Sequence, residues 1–303
     1  MLISVQMHNP VHHLEEEPTM AILLKGAEVA KTLTESLRTR TDALKAAGTE
    51  PCLAILRVGA REDDLSYERG TLKRCEKIGI LVRQVILPED VSQKELIDNI
   101  QSLNEDDAVH GVLIFRPLPR HLDDEAVRAA LDPRKDMDGI TDGSMVSVYA
   151  GTKDGYPPCT AAACVALLKH YNIPIKGRRV VVIGRSLVIG KPLSLLLLAE
   201  HATVTVCHSR SENLPAVCRE ADILVVAAGK AGIIGAEHVR EGQTVLDVGI
   251  HVGEDGKLFG DARFDEIEPV AAAITPVPGG VGTVTNSILA SHVVEAAERA
   301  AKR

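Results

Sequence analysis

The chain has 303 residues, long for one ordinary domain and ample for two, and with 45% hydrophobic but only 2% aromatic residues its cores must be built from Leu, Ile, Val and Ala. A net charge of -8 excludes a role centred on nucleic acid or an anionic membrane, both of which need clustered positive charge, and points to a small-molecule substrate. No apolar run approaches the roughly 20 residues of a membrane span, and six cysteines without a CxxC pair read as buried reduced thiols of a cytoplasmic protein.

Residues 1–19 carry a run of three glutamates and no apolar periodicity, and read as a disordered extension or a start-site artefact. His8, His12 and His13 lie in this stretch without a partner at ligand spacing, so no metal site is expected. AILL, from Ala21, is the first strand-like segment. Val29, Leu33, Leu37 and Leu44 then recur at helical spacing, marking an amphipathic helix over 26–47. A strand at 52–58, a helix over 64–78, a strand near 80–87, a helix around 94–103 and a strand ending at Phe115 follow. Such alternation predicts a parallel sheet with helices on its faces. Ligands of open parallel sheets gather beyond the carboxyl ends of the strands, so Phe115 and the turn RPLPRH stand where a site is expected.

Residues 133–160 are rich in Asp, Gly, Pro and Thr with little periodicity, and read as the crossing between two domains. A loop that long is usually functional, which marks Asp136, Asp138 and Thr160 as candidates, although Thr160 serves equally well as a helix cap. The helix AAACVALLKHY leads into the second domain.

That domain is organised around VVVIGRSLVIGKP, starting at Val180: a buried strand, a tight turn and a helix. Gly184 permits the sharp turn, Gly190 close packing, and Pro192 suits the first helical turn. Amides at the helix start invite a pyrophosphate. The strands TVTVC, ADILVV and QTVLDV complete a Rossmann half-fold pattern. An NAD site usually places an acidic residue after the second strand; here stand His208, Ser209 and Arg210, which with Arg185 suit the 2'-phosphate of NADP. Near the end, ITPVPGGVGTVTN combines prolines and glycines ahead of a last helix whose buried face is marked by Leu289, Val293 and Ala297. That helix is expected to return to the first domain.

From Met20 onward the chain closely resembles the methylenetetrahydrofolate dehydrogenase/cyclohydrolase family, the FolD proteins. The matching pieces are SYERGTLKRCEKIGI, GVLIFRPLP, KDMDGIT, PPCT, VVIGRS with VIGKP, TVTVCHS, DVGI and TPVPGGVG. The resemblance implies an α/β fold of two domains with a cleft between them: folate-binding over 20–155 plus 280–303, and NADP-binding of Rossmann type over 156–279. It implies a homodimer joined through the nucleotide domains. NADP would lie at Gly184, Arg185, Ser186, Ser209, Arg210 and Ile250. Tetrahydrofolate derivatives would contact Tyr67, Asp138, Pro278, Gly279 and Gly280, with Tyr67 flanking the pterin and Asp138 binding its polar edge.

The family's two reactions differ in what they demand. Hydride transfer to the nicotinamide requires two rings held face to face and no general base. Opening the methenyl ring with water requires proton-handling groups, which the family supplies as a lysine four residues after the tyrosine and a glutamine at the end of the GVLI strand. Here those positions are Thr71 and Phe115, and a serine three residues before the tyrosine is Asp64. Lys73 falls on the wrong helix face, and Arg74, though near the right one, stays protonated. The expectation is an NADP-dependent dehydrogenase of one-carbon metabolism with weak or absent cyclohydrolase activity, Asp64 being the only nearby replacement. Full bifunctionality is the alternative, and a non-catalytic dinucleotide-binding regulator the remote one.

Overall fold

The computed structural model describes residues 20–302. The extension expected to be disordered, 1–19, lies outside them. In chain order the elements are β1 (Ile22–Leu23), α1 (Gly26–Ala46), β2 (Cys52–Val58), α2 (Glu62–Ile78), β3 (Leu81–Leu87), α3 (Gln93–Glu105), β4 (Gly111–Ile114), α4 (Asp124–Ala130), α5 (Asp142–Ala150) and α6 (Cys159–His170). There follow β5 (Arg179–Ile183), α7 (Gly190–Ala199), β6 (Thr203–Cys207), α8 (Leu214–Arg219), β7 (Ile223–Val226), β8 (Thr244–Asp247), β9 (His251–Val252), β10 (Leu258–Phe259), α9 (Phe264–Ile267), β11 (Ala273–Ile274) and α10 (Thr285–Ala300).

The first half forms a parallel three-stranded sheet in the order β3-β2-β4. Strand β2 is central and every residue of it is buried, which its near-continuous apolar sequence allows. Strand β3 lies at the edge and is mostly exposed or half-exposed. The second half, with β1 added at one edge, forms a six-stranded sheet in the order β1-β11-β8-β7-β5-β6, parallel throughout.

The AILL segment departs from the expected layout. Ile22 and Leu23 pair with Ala273 and Ile274 at the edge of the six-stranded sheet, not with the first sheet. A second departure lies in 133–160, expected as a crossing without regular structure, where α5 forms. Its N-cap is Thr141, whose Oγ1 accepts from Ser144 N at 3.1 Å. Apolar periodicity misses this helix because its buried residues are Ser144 and Ser147, while Val146 and Tyr149 are exposed.

Helix α10 returns to the first half as expected, packing on α1, α2 and α6 with Leu289, Val293 and Ala297 buried. Arg40 of α1 forks onto Glu298 of α10 at 2.8 and 2.7 Å.

Candidate functional site

The end of β4, the starts of α2 and α6, the loop before α5, and the segments before α7, after β8 and before α10 enclose a cavity of about 590 Å³. Of the residues expected at the site, Asp64, Tyr67, Phe115, Asp138, Thr160 and Ile250 line it. Thr160 is no helix cap, because α6 begins at Cys159 and Pro158 precedes it.

Tyr67 projects from α2 and meets Phe115 edge to face, ring centroids 5.9 Å apart at 88°. Burial raises the phenol well above its ordinary range, against the smaller influence of the Thr285 side chain, which favours the anion. Tyr67 therefore stays a neutral ring carrying a polar tip.

Asp138 is held by the motif around it. The Asp136 carboxylate accepts from Ile140 N at 3.0 Å and Thr141 N at 2.8 Å, closing a turn across Asp138. Gly139 adopts φ 65°, and a Cβ there would come within 2.5 Å of Pro158 N. Next door, the Met137 carbonyl accepts from His292 Nδ1 at 2.8 Å and lies 3.3 Å from the Cys159 thiol. Burial lowers the imidazole pKa of His292 and raises that of the Cys159 thiol, so both are neutral anchors. Asp138 itself is pushed up to about 6 by burial, against hydrogen bonds from Cys159 that favour the anion. Asp136, a candidate from sequence, is thus a turn former, fully enclosed and away from the cavity.

Thr71 does not line the cavity. It is 0% exposed, and its Oγ1 lies 3.1 Å from both the Tyr67 carbonyl and Asn286 Oδ1. Arg74 is likewise engaged elsewhere, donating to Thr34 Oγ1 at 2.5 Å and the Ala30 carbonyl of α1, while Lys73 is exposed to solvent. Neither reaches the cavity wall.

Pro278, Gly279 and Gly280 line a smaller adjoining cavity of about 190 Å³ that shares Val248, Ile250 and Gly282 with the larger one. Arg116, in the turn where a site is expected, lies on the cavity wall, as do three residues that sequence reasoning passed over, Arg61, Cys159 and Thr285. Cys159 and Thr285 fall inside motifs already singled out; nothing local distinguished Arg61.

The dinucleotide turn lies between β5 and α7. Gly184 has φ 125° and its missing Cβ would strike the Ala227 carbonyl, while a Cβ on Gly190 would strike the backbone of Gly184. Gly190 thus serves the turn's own closure. Ser186 Oγ accepts from Ile189 N at 3.1 Å, shaping the start of α7. Arg185, Ser209 and Arg210 are exposed, and their side chains have no hydrogen-bond or ion-pair partner among the described residues. Two unengaged guanidiniums and a hydroxyl beside a helix N-terminus fit a phosphate-bearing dinucleotide.

A model described as the tetrahydrofolate dehydrogenase/cyclohydrolase catalytic domain matches residues 24–138, and one described as the NAD(P)-binding domain of the same family matches 158–301. The bifunctional protein FolD of Clostridioides difficile (strain 630) is 49% identical over 278 residues, 92% of this chain and 97% of that protein. That of Carboxydothermus hydrogenoformans is 49% identical over 281 residues, 92% of this chain and 98% of its own. Among solved structures, the bifunctional FolD enzyme of Campylobacter jejuni superposes with a TM-score of 0.89 at 37% identity, covering 92% of this chain and 99% of that one. The Trypanosoma brucei methylenetetrahydrofolate dehydrogenase-cyclohydrolase, complexed with NADP cofactor and inhibitor, gives 0.87 at 34% identity, covering 94% and 100%.

Proposed function

Because the chain belongs to the tetrahydrofolate dehydrogenase/cyclohydrolase family, we propose that it oxidises 5,10-methylenetetrahydrofolate to the methenyl form with NADP, and that its cyclohydrolase step is weak or absent. The observation carrying this reading is the make-up of one cavity: Tyr67 and Asp138 line it, Phe115 closes it, and Thr71 is turned away onto Asn286.

Asp138 accepts from the polar edge of the pterin, and Tyr67 offers its ring face beside it. NADP, when bound, supplies the nicotinamide that accepts hydride. The chain's residues need only hold the two rings at contact distance, and no proton has to be removed. Hydrolysis makes a further demand. Thr71 is too weak a base and faces elsewhere, while Phe115 has no polar atom with which to orient water. Asp64 is the residue favouring the second reading, full bifunctionality, because it is a carboxylate on the cavity wall that can activate water.

Arg185, Ser209 and Arg210 take the 2'-phosphate, Gly184, Ser186 and Ile250 the rest of the cofactor, and Pro278, Gly279 and Gly280 the substrate beyond the pterin. The folate-binding domain comprises 20–155 with 280–303, less strand β1, and the NADP domain 156–279. The chain acts in the cytoplasm, a reading supported by six buried free thiols. It forms a homodimer through the nucleotide domains, for which the free edge of β6 is suited: Val206 there is 40% exposed and Leu198 of the adjoining α7 is 59% exposed. Following NADPH formation and methenyl disappearance with purified protein tests both halves of the proposal. Absence of methylenetetrahydrofolate-dependent NADPH formation refutes the first, and rapid enzyme-dependent methenyl hydrolysis the second.

A further inference from the structure

Behind α2 lies a closed group of buried polar side chains. Arg57 of β2 is 6% exposed and Glu68 of α2 4%; Arg57 Nε donates to Glu68 Oε2 at 3.0 Å, and Gln84 Nε2 to Glu68 Oε1 at 2.7 Å. Arg57 Nη1 donates to the Gly59 carbonyl. The guanidinium is thereby committed, and Glu68 is satisfied on both oxygens.

Asp64 stands one helical turn before Glu68 on the same face. It is 7% exposed and lines the large cavity. Two arginines lie close enough to influence it, Arg57 and Arg61, yet neither bonds it. Arg61 Nη1 donates to the Pro117 carbonyl at 3.0 Å, and its Nη2 lies 3.8 Å from Asp63. Among the described residues the Asp64 carboxylate has neither a hydrogen-bond donor nor an ion-pair partner. A carboxylate nine-tenths buried in a wall rich in arginine, and left unpaired, is set to receive a donor or a cation from what enters the cavity.

We propose that Asp64 is a charge-selecting residue, its carboxylate facing the one-carbon bridge of the folate and binding it more tightly once that bridge is cationic. The inference rests on the dehydrogenase reading above. In that reaction a C–H bond of the methylene carbon breaks and its electron pair leaves with the hydrogen for the nicotinamide. The positive charge of the oxidised cofactor is thereby transferred to the N–C–N unit of the folate, and no proton is released. Asp64 gains an ion-pair partner as the charge arrives, so it favours the oxidised folate and retains it. A separate hydrolytic or group-transfer reaction must then consume the cation.

The test is calorimetric titration of the full chain, without cofactor, using 5,10-methenyltetrahydrofolate as the cationic probe and tetrahydrofolate as the neutral one. Wild type binds the cation more tightly. Asp64→Asn, which removes only the charge, weakens the cation by about tenfold or more and the neutral folate by less than about threefold. Asp64→Ser behaves likewise and serves if the Asn variant does not fold, whereas Asp64→Glu retains part of the preference. Equal losses for both probes, or no preference in the wild type, overturn the inference. A wild type that forms no NADPH from methylenetetrahydrofolate defeats the dehydrogenase reading instead, whatever the binding ratio.

Discussion

Burial raises the Asp138 carboxyl from 3.8 to about 6, and this shift has consequences for both stability and catalysis. A raised carboxyl pKa means that the folded protein binds the proton more tightly than the unfolded chain. Its stabilising contribution is therefore complete below about pH 3.8 and is lost as pH rises through about 6, where the buried anion becomes a cost. The shift corresponds to about 3 kcal/mol in full, of which about 2 kcal/mol falls between roughly pH 4.5 and 7.5. Asp138→Asn does not titrate. Relative to wild type it should gain about 2 kcal/mol of stability over that interval, read from urea unfolding at a series of pH values. Comparison with wild type at each pH cancels the other buried carboxyl that burial pushes up to about 6, Asp247. In the proposed catalysis the anion is the useful form, as acceptor for the pterin edge. Wild-type kcat/KM should therefore fall about tenfold per pH unit below about 6, while the Asn variant stays low at every pH. A stability difference that does not vary with pH refutes the reasoning.

Arg185→Ala should raise KM for NADP by roughly ten- to a hundredfold and leave that for NAD nearly unchanged, because only NADP has the 2'-phosphate; Arg210 softens the effect if it shares the contact. Gly190→Ala should cost about 3 kcal/mol, since the new Cβ strikes the Gly184 backbone, and should also impair NADP binding, both visible in thermal melts with and without cofactor. Val206→Lys places a charge on the free edge of β6 and should convert a dimer to a monomer in sedimentation velocity, with the far-ultraviolet spectrum unchanged.

Much of this architecture was legible because it is written in local patterns. The parallel strands β2, β4, β5, β7 and β8 are apolar runs, and Tyr67 and Thr71 fall one helical turn apart by spacing alone. The misses have physical reasons. Two residues of β1 carry no periodicity that could say which sheet they join. The inward face of α5 is built from serines, so hydrophobic period fails there. Thr71 was placed correctly on its helix, yet its side chain is engaged by Asn286, 215 residues away, and no local signal reports such a contact. Asp64 was visible as a substitution, but its lack of a partner depends on where Arg57 and Arg61 spend their donors, which is a tertiary fact.

The central claim, that this cavity passes hydride without handling water, is tested most directly by following the methenyl product through its ultraviolet absorbance. Wild type supplied with methylenetetrahydrofolate and NADP should accumulate methenyltetrahydrofolate, its decay no faster than without enzyme, and a Thr71→Lys, Phe115→Gln double variant should gain hydrolysis. Rapid methenyl hydrolysis that scales with wild-type enzyme concentration would contradict the account and assign the second activity to the carboxylate of Asp64.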